Sequence, residues 1–101
     1  MKLKNKEIIL SKVNEHIGQY LSMGQEKNYV VFLINSKYFP MSVMKSFFKD
    51  YFDKNIDKED SKKKLIVKIE EILTTIRQKA GSGDSILILD TKKMEVNLQK
   101  D

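Results

Sequence analysis

Cysteine is absent from this chain of 101 residues, which removes disulfides, thiolate nucleophiles and cysteine-based zinc sites in one step. Histidine occurs once, at His16, so a metal site would have to be built mainly from carboxylates. Neither a metal nor a cofactor is expected. Arginine is nearly missing as well: Arg77 stands alone among 19 basic residues. Arginine reads guanine and phosphate with a two-pronged fork, whereas lysine acts more as a point charge. Long apolar runs are also lacking. The longest extends from Tyr29 to Ile34, far short of the roughly 20 residues a membrane-spanning helix needs. The basic start, Met1 to Glu7, leads into no apolar signal core, so a cytoplasmic protein without a membrane span is expected.

What the chain does contain is enough apolar material for one core. Hydrophobic residues make up 41% and charged residues 33%, which fits a single folded domain over residues 1–101. The net charge of +5 favours phosphate backbones, anionic surfaces or an acidic protein as partners.

Periodicity predicts three helices, near residues 5–23, 41–53 and 58–80, and strands near 29–34, 85–90 and 94–99. In the first helix Ile9, Leu10, Val13, Ile17, Tyr20 and Leu21 form a stripe about 120° wide, with Asn5 as cap and Gly24 as stop. Tyr29 to Ile34 reads as a strand buried on both faces. Asn35-Ser36-Lys37 is either a tight turn into a further strand at Tyr38-Phe39 or a plain loop. Pro40 suits the entry to the second helix. Leu65, Ile66, Ile69, Ile72, Leu73, Ile76 and Ala80 mark the inner face of the third. In the last strand Met94, Val96 and Leu98 alternate with polar residues, as at a sheet edge.

This order, α-β-α-α-β-β, resembles the winged helix-turn-helix fold, an α+β arrangement of three helices with a small antiparallel sheet ending in a β-hairpin. The resemblance covers nearly the whole chain and rests on element order, with no family motif. It implies DNA binding, with the third helix in the major groove and the terminal hairpin as the wing. The basic residues that fall where that fold meets phosphate are Lys58, Lys62, Lys63 and Lys64 on the third helix and Lys92 and Lys93 at the hairpin tip. The competing reading of Lys62 to Lys64 is a solvated helix face, supported by the i,i+4 pairs Glu59–Lys63 and Asp60–Lys64.

No constellation for catalysis is visible, and no enzyme is expected. His16 reads as a packing histidine at the edge of the first helix's stripe. Asp57, Glu59 and Asp60 read as helix-start acids and not as a Mg²⁺ site. Gly81-Ser82-Gly83 follows a helix and precedes a strand, the reverse of a phosphate loop, and reads as a turn. The function expected is therefore a small non-enzymatic DNA-binding regulator. The alternative is a small protein-binding inhibitor, such as a phage-type anti-defence protein. That alternative draws on the second helix, where Val43, Met44, Phe47, Phe48, Tyr51 and Phe52 cover about 180° against the 100° or so of a one-sided helix. At least one of Phe47, Phe48, Tyr51 and Phe52 is expected to be substantially exposed and covered by a protein partner or a second copy.

Overall fold

A computed structural model describes residues 12–78 and 83–99. Among them, three strands come first: β1 (Val13–Ile17), β2 (Leu21–Glu26) and β3 (Tyr29–Asn35). Two helices follow, α1 (Met41–Asn55) and α2 (Glu59–Gln78), and then β4 (Asp84–Asp90) and β5 (Glu95–Leu98). The five strands form one antiparallel sheet in the order β1-β2-β3-β4-β5.

This corrects the three-helix winged-helix arrangement. The described part of the expected first helix is a β-hairpin; its residues 5–11 lie outside the described ones. The cause is a coincidence of spacing. Ile17 and Leu21 are four apart, as on one face of a helix. Here they are direct cross-strand partners on either side of a three-residue turn, which also puts them on one face. Gly18, with φ at 66°, lets the chain make that turn, and β-branched Val13 and Ile17 suit the strand. Gly24 lies inside β2 and stops no helix. The terminal hairpin does form, but it is no projecting wing, because β4 pairs along its length with β3. Ser36 to Tyr38 is a turn, so Tyr38-Phe39 adds no strand.

The helices cover one face of the sheet. Val30, Phe32 and Ile34 of β3 point to that face, with Leu87 and Leu89 of β4 and Val96 of β5. They meet Met44, Phe48 and Phe52 of α1 and Leu65, Ile69, Ile72, Leu73 and Ile76 of α2. Full burial of each such side chain contributes about 1.5–3 kcal/mol. The alternate residues of the central strands form a second, smaller buried cluster on the other face: Val31, Ile86 and Ile88, with Tyr29 and Leu33 against it. That two-sided burial explains why Tyr29 to Ile34 is an unbroken apolar run. Arg77 locks one end of the helical layer. Its Nη1 donates to the Phe39 carbonyl at 2.6 Å and its guanidinium lies 5.5 Å from the Phe39 ring centre.

Candidate functional site

Chain direction gathers the lysines. α1 leaves from the end of the sheet where β3 finishes, and α2 returns to it, as the bond from Arg77 to Phe39 requires. The start of α2 therefore lies toward the opposite end, where the turns β2–β3 (Lys27-Asn28) and β4–β5 (Thr91 to Met94) are found. The two basic clusters picked from the sequence thus share one end of the molecule, although they are far apart in the chain.

The two turns are fastened to each other. Both the backbone amide and the hydroxyl of Thr91 donate to the Asn28 carbonyl oxygen, each at 2.8 Å. The second turn is also held from within: the amides of Lys92 and Lys93 donate to Asp90 Oδ1 at 3.0 and 2.9 Å. Lys27, Lys92 and Lys93 are exposed on these fixed turns and make no ion pair among the described residues. Such a surface holds three ammonium groups over a rigid backbone, where they can meet several phosphates at once.

The Lys93 amide, with the Lys92 amide behind it, holds the Asp90 carboxyl below its ordinary value. A lowered carboxyl contributes above the ordinary aspartate range and loses that contribution as pH falls through its lowered folded value. Acidification through that window should release both lysine amides. Amide exchange at Lys92 and Lys93 should accelerate together while core β4 amides stay protected. Unchanged exchange as Asp90 titrates would show that the carboxylate does not hold the turn.

The helix-start lysines divide. Lys58 precedes α2 and is exposed, with its carbonyl accepting the Lys62 amide at 3.0 Å. Lys63 and Lys64 are exposed as well. Lys62 is different. Its side chain is only 14% exposed, and its ammonium reaches Glu59 at 2.8 Å and Asp53 at 3.6 Å. The Glu59 hydrogen bond raises the Lys62 pKa and lowers that of Glu59. Lys62 thus straps the start of α2 to the last turns of α1. Asp57 and Asp60 remain exposed beside it. Sequence reasoning missed Lys27, because Gln25 to Asn28 read as a polar link after a helix. The signal was the Lys27-Asn28 pair, which forms a two-residue hairpin turn with Lys27 at φ 52°.

Elsewhere, Phe48 and Phe52 are buried in the core, Phe47 and Tyr51 are half-buried, and none of the four is fully exposed. The expectation of a substantially exposed ring among them is not met. The aromatic breadth of α1 is absorbed by Phe32, which lies edge-on to Phe47, Phe48 and Tyr51 at 6.3, 5.0 and 5.5 Å. His16 sits on an exposed strand face, not in packing, with Nδ1 at 2.9 Å from Ser22 Oγ. The pair borders a cleft of about 220 Å³ with Asn35 and Asp84, at the end of the sheet away from the lysines. Among the described residues no three His, Cys, Asp or Glu side chains are placed to hold a metal ion. Gly81 and Ser82 lie outside the described residues. No described helix is long and apolar enough to cross a membrane. No protein-family model matches this sequence, and no curated protein or solved structure matches it.

Proposed function

We propose that this is a non-enzymatic nucleic-acid-binding protein of the cytoplasm, acting as a small regulator through lysine contacts to phosphates. The observation that carries the reading is the pair of cross-fastened turns bearing Lys27, Lys92 and Lys93, with Lys58 and Lys63 toward the same end. The winged-helix resemblance plays no part in the reading, since its recognition helix and wing are gone; the sheet topology does, because it brings the two turns to one end. The net charge of +5 adds long-range attraction for a polyanion.

Phosphate neutralisation releases counterions, so log Kobs on duplex should fall with log salt at a slope of about −2.7 to −4.5 for three to five contacts. The variant Lys27→Glu/Lys92→Glu/Lys93→Glu should lose nucleic-acid binding while keeping its circular dichroism spectrum and urea midpoint. The charge-matched variant Lys37→Glu/Lys49→Glu/Lys68→Glu, altered at exposed positions elsewhere, should retain most of it. Equal losses in the two would reduce the effect to net charge and remove the turns as the site.

The protein-binding inhibitor reading has one observation of its own. On the flank of α1 away from α2, Val43 is 41% exposed, and Phe47 and Tyr51 are half-buried. The two readings part on nuclease treatment of a host-cell pull-down. A nuclease-sensitive capture favours the lysine end; a single nuclease-resistant protein favours the flank of α1.

A further inference from the structure

Resting on the reading above, we infer that the ligand of the lysine end is double-stranded nucleic acid, held by its backbone and without regard to sequence. Three observations lead there. First, proteins that hold single strands give the bases aromatic faces to stack on. Tyr29, the ring nearest these turns in the chain, is half-buried, with one side packed against the Val31, Ile86 and Ile88 cluster. The exposed aromatic side chain among the described residues, Tyr38, lies at the opposite end beside Lys37. Among the described residues, a single strand at the lysine end would find only the half-covered Tyr29 ring to stack on, a small return for being ordered.

Second, the turns are rigid. Their tips sit two strand spacings apart, about 10 Å, and the Thr91–Asn28 and Asp90 bonds fix that separation. Backbones that fix where the three lysine side chains begin match a ligand whose phosphates are themselves fixed, because the side chains then only span the remaining distance. A duplex presents about one charge per 1.7 Å of axis in a stiff frame.

Third, the means to read bases are sparse at this end. Arg77 is committed to Phe39 at the far end, and lysines contact phosphate as point charges. Asn28 is the one exposed amide on the tips that matches an adenine edge, set among three ammonium groups.

The test is fluorescence anisotropy of the full chain with two labelled duplexes of equal length and unrelated sequence, and with each component single strand. The two duplexes should bind within about twofold of each other, and the single strands about tenfold more weakly, with a shallower salt slope. Single strands bound as tightly as duplexes would overturn the duplex assignment and leave the lysine site standing. A tenfold preference for one duplex, lost in Asn28→Ala, would overturn sequence independence. Absence of binding to every probe at low salt would overturn the underlying reading itself.

Discussion

Phe32→Ala is expected to cost about 3–5 kcal/mol, a large part of the roughly 5–15 kcal/mol that holds a domain this size folded. Phe32 is wholly buried in β3, the middle strand of five. Its cross-strand partners are Met23 and Leu87, and its ring is the one that Phe47, Phe48 and Tyr51 of α1 all meet. Alanine would leave a cavity bounded by sheet backbone on one side and by three rings on the other. Those rings are tied to one helix and cannot collapse into the space independently. Urea unfolding should show a much lower midpoint at an unchanged slope, or a chain already unfolded in buffer. Phe32→Leu, which keeps most of the volume, should recover much of the loss. A cost below about 1.5 kcal/mol for the alanine variant would mean that α1 shifts to close the gap, contrary to the packing of a core at native density.

The same ring shows how far the sequence could be read. Tyr29 to Ile34, the two later helices and the last two strands follow from apolar periodicity because each element's pattern is produced by its own burial. Leu65, Ile69, Ile72, Leu73 and Ile76 face inward as their spacing requires, Ile66 is half-buried at the edge of that face, and Ala80 lies outside the described residues. Residues 13–23 were misread because a tight hairpin reproduces the i,i+4 neighbourhood of a helix at Ile17 and Leu21. That one misreading carried others with it. It hid the Lys27-Asn28 turn, and it put His16 on a helix stripe instead of beside Ser22. It also completed a winged-helix order that the chain does not have. On α1, a stripe 180° wide was legible, but which rings reach the core depends on Phe32, whose place opposite them is a fact of topology. Lys62 looked like its neighbours Lys63 and Lys64. Only the return of α2 beside α1 brings Asp53 to it, because the pair is nine positions apart in the chain.

Gly24→Ala is expected to detach the start of β1 and to lower stability by about 2–3 kcal/mol, the scale of an overpacked core site. Gly24 lies in β2 without a left-handed backbone, so the demand on it is space. The chain of β1 crosses directly over it. A Cβ at position 24 would fall on the carbonyl group of Lys12 and come within 2.8 Å of the Val13 nitrogen. Those are backbone atoms, so no side-chain rotation relieves the clash and one strand must move. β1 is the one that yields, because β2 is held on its other side by a full register with β3. β1 is an edge strand whose pairing with β2 is already irregular between Val13 and Glu15, and the Lys12–Glu26 ion pair at 2.6 Å fastens only its start. Hydrogen exchange should therefore show β1 amides losing protection while β3 and β4 amides keep theirs up to the global limit. The lysine turns belong to β2–β3 and β4–β5, so nucleic-acid affinity should stay within about twofold of the parent protein when both are measured at the same salt. Gly18→Ala provides the contrast: there a Cβ meets only the Tyr20 ring at 3.5 Å, and the strain comes from φ at 66°, a cost of roughly 1–2 kcal/mol. If Gly24→Ala left both the urea midpoint and the β1 exchange rates unchanged, the crossing of Lys12 over Gly24 would not exist in solution.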